Sequence, residues 1–230
     1  MGKIKNRVLP YLPVLIFIVA ETIIYSLFMA QDIKGTGDGI TLKYIGLLLC
    51  VVFSASAIFF ARRDAVLLTV ALVFTAISDY FLLVLGDYFE VGLVTFIVAQ
   101  TVYAVRIYFI RKKFSFPLLI ARIILPVILI VTLAILSMLN LLTALTCIYF
   151  PLLLLNAIET GFTINADKRN LLFFVGLLLF ICCDICVGLD NFAPVLGITL
   201  PKAITDFTRV GMWGFYLPSQ VIITLSVRKN

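Results

Sequence analysis

The chain has 230 residues, 63% hydrophobic and 13% charged, with a formal net charge of +6 and no histidine. A soluble domain of this composition would expose too much apolar surface to stay dispersed. A basic balance split into short clusters between apolar runs, with no basic face on a polar element, excludes nucleic-acid binding.

Apolar runs of the roughly 20 residues that cross a bilayer recur along the chain. They predict an all-α polytopic membrane bundle of eight transmembrane helices, one domain over residues 1–230, in a cell membrane. Lys3, Lys5 and Arg7 precede the first run, Val8–Ala30. Its length, the Glu21 within it and the lack of a small-x-small site read as a retained helix rather than a signal peptide. Pro10 and Pro13 fall in its first turn, where proline is tolerated. A glycine-rich loop, Gln31–Gly39, leads to helix two, Ile40–Ala61, which ends at Arg62-Arg63-Asp64.

Helix three, Ala65–Gly86, carries Asp79, and an acidic turn with Asp87 and Glu90 follows. Helix four, Val91–Ile110, has Gln100, Tyr103 and Arg106 spaced by three, hence on one face. Helix five, Pro117–Met138, and helix six, Leu139–Gly161, are interrupted by Pro126 and Pro151, and helix six also carries Asn156 and Glu159. Such prolines are tolerated in membrane helices and often kink them. After the loop Asn165–Asn170, helix seven, Leu171–Leu189, carries Asp184; a long loop, Asp190–Asp206, precedes helix eight, Phe207–Val227, with Trp213, Tyr216, Pro218 and Gln220.

Counting Lys and Arg by side puts twelve at the two ends and in the loops at 62–64, 111–113 and 165–170, against four (Lys34, Lys43, Lys202, Arg209) on the other side. By the positive-inside rule both termini are cytoplasmic. Arg106 and Arg122 lie just inside the cytoplasmic boundary and are expected to snorkel. Asp79 and Asp184 then sit about fifteen residues from the cytoplasmic ends of their helices, ~20 Å up, in the outer half of the membrane. Glu21, Gln100 and Tyr216 fall near the same level. The similar surroundings of the two Asp suggest that helices three and four are echoed by seven and eight.

A carboxyl inside a membrane helix is costly and marks a functional site unless it merely glues helices together. Two carboxyls sharing a low-dielectric cavity favour one protonated acid beside one ionised carboxylate. That arrangement suits acid-catalysed cleavage through an oxocarbenium-like cation, and equally a proton relay. Glu21 is the third acid. Tyr103, Tyr216 and Gln100 can bond a polar substrate group or a neighbouring helix; Lys43 can meet a phosphate or snorkel. Glu159 is expected to pair with Arg169 or Arg106, and Trp213 to anchor or pack. Without histidine, the commonest metal ligand and the easiest base near neutral pH are missing, and no metal or cofactor is called for. The five cysteines, Cys50, Cys147, Cys182, Cys183 and Cys186, lie in apolar runs, where buried thiols are ordinary. Cys183-Asp-Ile-Cys186 leaves a membrane thiol oxidoreductase as a distant reading.

Four segments carry a family resemblance: Ala76–Gly86 (AISDYFLLVLG), Gly92–Phe109 (GLVTFIVAQTVYAVRIYF), Phe174–Phe192 (FVGLLLFICCDICVGLDNF) and Phe215–Ser226 (FYLPSQVIITLS). Together they resemble the YhhN-like lysoplasmalogenase family. The resemblance aligns the family's two membrane aspartates with Asp79 and Asp184, and its last-helix Tyr and Gln with Tyr216 and Gln220. The family often has His where this chain has Gln100, and Lys-Pro where it has Lys43-Tyr44. What the resemblance implies is hydrolysis of the vinyl ether bond of a lysoplasmalogen, a membrane lysophospholipid, to a fatty aldehyde and a glycerophospho-headgroup, with the two aspartates as acid and base. A proton-coupled transporter or permease built on the same acids is the alternative.

Overall fold

A backbone in lipid must satisfy its own hydrogen bonds, and a chain with apolar runs of this length does so by coiling into helices. The computed structural model describes residues 12–37, 39–59, 61–195 and 198–227. Lys3, Lys5, Arg7, Pro10, Arg228 and Lys229 lie outside them. Among the described residues there is no strand, and eight long helices follow one another: α1 (Leu12–Lys34), α2 (Ile40–Ser56), α3 (Arg62–Asp79), α4 (Phe89–Arg111), α5 (Phe116–Ile135), α6 (Leu141–Gly161), α7 (Lys168–Val195) and α8 (Lys202–Leu225).

Seven of the eight are long and apolar enough to cross a membrane, and α8 is the exception. Its apolar content is diluted by an inward polar face that includes Thr208, Ser219, Gln220 and Thr224, all buried. The loop expected over Asp190–Asp206 is largely helical, because α7 runs on to Val195 and α8 starts just after Pro201. Hydropathy marks where the hydrocarbon ends, not where backbone hydrogen bonding does. The start of α6 is fixed locally: Thr143 N donates to Asn140 Oδ1 at 2.8 Å and Asn140 N donates to Thr143 Oγ1 at 2.9 Å, a capping box.

Packing closes α2, α3, α4, α6, α7 and α8 into a ring, each against the next and α8 back against α2. Helix α1 lies over α2 and α8, while α5 stands outside and packs mainly on α6. The most extensive packing is α7 on α8. A Cβ at Gly176 would sit 2.5 Å from Ile223 Cγ1, so only glycine lets the two backbones meet there. Pro218 in α8 has no N–H to give the Gly214 carbonyl, and Tyr25 Oη of α1 donates to that carbonyl instead, at 3.2 Å.

Arg106 and Arg122, expected to snorkel, turn instead into ion pairs within the bundle. Arg106 is 1% exposed. Its Nε and Nη2 donate to the two Asp64 carboxylate oxygens at 2.9 Å each, and its Nη1 to Ser226 Oγ at 2.9 Å. Arg122 Nη2 donates to Glu159 Oε2 at 2.7 Å and to Asn156 Oδ1 at 3.0 Å. Glu159 therefore pairs with Arg122 and with Arg111 (2.5 Å), not with Arg169 or Arg106. Arg169 donates to the Val227 carbonyl. Sequence spacing fixes the face of one helix, but which neighbour that face meets depends on the ring.

Candidate functional site

The site begins where α3 changes its winding. After Asp79 the chain continues as a π-helical stretch, Tyr80–Leu85, which Gly86 ends in the left-handed region at φ +66°. A π turn adds a residue to the ladder and re-aims the side chains beside it, and such turns gather at functional sites. Two contacts hold this one against α4. Ser78 Oγ donates to the Gly92 carbonyl at 2.6 Å. Leu82 packs so tightly that a Cβ at Gly92 would lie 2.6 Å from its Cγ.

Asp79 thereby points into the ring, 4% exposed, with Oδ2 lacking a protein hydrogen-bond partner. The Tyr216 hydroxyl of α8 is its immediate neighbour, itself without an aligned partner. Asp184 of α7 is differently placed. It is partly exposed and accepts a hydrogen bond from Tyr149 Oη of α6 at 2.7 Å. The Asp184 charge reaches Asp79, and the Asp79 charge reaches Tyr149. Two phenylalanines join the pairs: Tyr216 and Phe180 rings are 5.4 Å apart, Phe180 and Phe96 5.8 Å, and Phe96 and Tyr149 5.5 Å. The constellation is thus two carboxyl–phenol pairs, one sealed and one accessible, across an apolar aromatic wall.

Asp184 also lines a cavity of about 440 Å³, with Leu129 of α5, Thr146, Cys147 and Phe150 of α6, and Ile185 and Leu189 of α7 among its other walls. Leu129, Ile185 and Leu189 are 40–50% exposed, so the wall is continuous with the bundle's outer surface. The volume falls in the range of small-molecule sites, about 300–1,000 Å³. Its lining is almost wholly hydrocarbon, with Asp184 and Thr146 as its polar residues.

The other expected residues lie around this centre. Gln220 is one turn from Tyr216 on α8 and fully buried. Gln100 accepts from Asn156 Nδ2 on its side-chain oxygen at 3.0 Å and its carbonyl at 2.8 Å, so it joins α4 to α6. Tyr103 is fully buried beside Phe173, rings 5.4 Å apart. Glu21 of α1 is 3% exposed and accepts from Cys50 Sγ at 3.5 Å. Lys43 forms an ion pair with Asp32 at 2.9 Å and lies over the rings of Trp213 (5.2 Å) and Phe28 (5.8 Å). Trp213 in turn meets Tyr216 edge-on at 5.0 Å, so it packs inside the bundle. All five cysteines are free, with Cys183 and Cys186 both buried on α7.

Tyr149 is the residue that sequence reasoning passes over. It reads as one more aromatic in an apolar run. The available signal is that it stands seven positions before Asn156, on the same face of α6. Tyr44 is a second: its hydroxyl donates to the Ala76 carbonyl at 3.4 Å, near Asp79, from the position where the resemblance finds proline.

No curated protein matches the chain, nor does any solved structure. A family model does, over residues 38–227, a stretch that holds both aspartates and both tyrosines but not Glu21, and by that match the chain belongs to the YhhN family.

Proposed function

We propose that the protein is a lysoplasmalogenase: a membrane hydrolase that cleaves the vinyl ether bond of an alkenyl-glycerophospholipid lacking its second acyl chain. The observation that carries this is Asp184, a residue in the wall of an apolar cavity whose carboxyl is bonded to Tyr149, with a second, sealed carboxyl at Asp79 in the same ring. Membership of the YhhN family supports the same reaction class.

The chemistry assigns the two acids different tasks. Asp184, facing the alkenyl chain, gives its proton to the β-carbon of the C=C–O group. The α-carbon and ether oxygen become an oxocarbenium ion, and Asp184 is left as a carboxylate, held by the Tyr149 hydroxyl. Asp79 takes a proton from a water as that water's oxygen bonds to the α-carbon, giving a hemiacetal. Asp79 then gives that proton to the glycerol oxygen as the hemiacetal C–O bond breaks, and the hemiacetal hydroxyl gives its proton to the Asp184 carboxylate, releasing aldehyde and alcohol. The sum is one vinyl ether and one water in, one aldehyde and one alcohol out, with both acids restored. Tyr216 orients Asp79, and Lys43 with Trp213 stands toward the outer end, where a headgroup would lie.

All eight helices cross the membrane in this reading, and both ends face the cytoplasm. The twelve-to-four distribution of basic residues supports that orientation. Support for the eighth crossing comes from the 24 residues of α8, whose rise of ~36 Å spans a bilayer.

Purified protein in nanodiscs with a lysoplasmalogen releases one fatty aldehyde per headgroup freed, read by aldehyde trapping and mass spectrometry. Uptake of solute driven by a pH gradient in liposomes, with no aldehyde, would overturn the hydrolase in favour of a transporter. Tyr149→Phe removes one hydrogen bond to a charged partner, worth about 1.5–3 kcal/mol. It lowers kcat about 10- to 100-fold, while KM, set by the apolar cavity, stays within about two-fold. An unchanged kcat would detach Tyr149 from the reaction.

A further inference from the structure

Toward the cytoplasmic side of Asp79 the bundle carries polar groups that the reaction above does not use. Glu21 of α1, Tyr103 of α4, and Gln220 and Thr224 of α8 are all at most 3% exposed. Glu21 Oε2 and Gln220 Oε1 lack a hydrogen-bond partner in the protein, while Thr224 Oγ1, Tyr103 Oη and the Asp79–Tyr216 pair meet only poorly aligned ones, in Cys50, Thr75 and each other. Leaving such an atom unbonded in an interior is expensive, and native proteins hold few of them. Two bare acceptors and a run of poorly aligned hydroxyls along one path are matched by an occupant that both donates and accepts.

These atoms form a continuous stripe. Tyr216, Gln220 and Thr224 stand at i, i+4 and i+8 on one face of α8, a rise of ~12 Å. Thr224 meets Cys50, and Cys50 Sγ donates to Glu21 Oε1 at 3.5 Å. The Tyr103 hydroxyl faces Cys50 and Thr75, and Thr75 is one turn before Asp79 on α3. At the cytoplasmic end Arg106 closes the stripe, its guanidinium committed to Asp64 and Ser226. With no cation aimed into it and with hydroxyl, amide and carboxyl groups alternating, the stripe matches water, which needs two to four polar neighbours per molecule.

We propose that this stripe holds a file of bound water running from Glu21 past Gln220 to Asp79, and that the file resupplies the water consumed there. The hydrated file stands on the geometry alone; its delivery role rests on the hydrolase reading. Gln220 and Glu21 thus act on the water side of Asp79 rather than on the lipid, and reactant water enters from the face opposite the alkenyl chain.

Pulsed X-ray radiolysis of the intact protein in nanodiscs makes hydroxyl radicals from water in place and oxidises the side chains beside it. Cys50 and Tyr103 are expected to be labelled at least about ten-fold faster than the equally buried Leu68 and Leu177, after correction for intrinsic reactivity. Gln220→Leu and the isosteric Thr224→Val cut both this labelling and kcat for aldehyde release several-fold with KM unchanged; Thr224→Ser, which keeps the hydroxyl, restores both. Labelling no faster than at the leucines, beside normal aldehyde release, overturns the file while the hydrolase stands. Labelling that falls in the variants without a fall in kcat overturns delivery. Fast labelling with no aldehyde from the wild type overturns the hydrolase and delivery together, and leaves the file.

Discussion

Asp184→Asn lowers aldehyde release at least about a thousand-fold, and Asp79→Asn does the same. Both substitutions are isosteric. An asparagine at 184 still accepts the Tyr149 hydroxyl and still fills its place in the cavity wall, so substrate binding survives. What is lost is the proton at 184 and the base at 79. The loss therefore falls on kcat with KM near its wild-type value, and the melting temperature does not drop. Because the two groups act in one sequence of steps, the double variant is little worse than either single one. The measurement is steady-state aldehyde formation for the four proteins in nanodiscs. Single variants that retain more than about a tenth of wild-type kcat would return the aspartates to the role of interhelical glue.

Arg106→Ala is the most destabilising substitution expected in the bundle, by about 3–5 kcal/mol. Arg106 is 1% exposed, bonded to both Asp64 oxygens and to Ser226, and stacked over Phe173 at 4.4 Å. Its removal takes a bidentate cation from the Asp64 carboxylate, at a side-chain exposure of 11%, and the donors that Ser226 Oγ and its carbonyl accept. The cost is that of a buried carboxylate losing its bidentate guanidinium rather than the net worth of the pair. Arg106→Met combined with Asp64→Leu should therefore recover most of the stability, whereas neither single change does. Thermal unfolding of the four proteins in one detergent tests this. An additive double variant would show that Asp64 does not depend on Arg106.

Much of this was legible in the sequence because the membrane restricts the choices. Apolar length predicted eight transmembrane helices; eight long helices are described, seven of them long and apolar enough to cross a membrane. The cost of a buried carboxyl singled out Asp79 and Asp184, of which Asp79 is buried in the ring and Asp184 lies partly exposed against Tyr149. The partners of these groups were not legible. Glu159 was expected to meet Arg169 or Arg106 and instead holds Arg111 and Arg122. Periodicity gives the azimuth of a residue on its own helix but not the rotation of that helix in the ring. Tyr149 was missed for the same reason: its hydroxyl has significance only once α6 faces α7. The π turn after Asp79 depends on Leu82 seating on Gly92, a tertiary contact without a local signature.

The cavity beside Asp184 is walled by residues whose other sides form the outer surface of the bundle, with α5 leaning on α6 alone as its main support. For a lipid meeting such a wall, concentration is a mole fraction in the bilayer, not moles per litre of buffer. Encounter becomes a two-dimensional search, and diluting the substrate with inert lipid slows it where diluting the membranes with buffer does not. On the proposed reaction, the products made there also sort themselves by phase. A long-chain aldehyde stays in the hydrocarbon and a glycerophospho-headgroup leaves for water, so the fragments part without either having to be pumped.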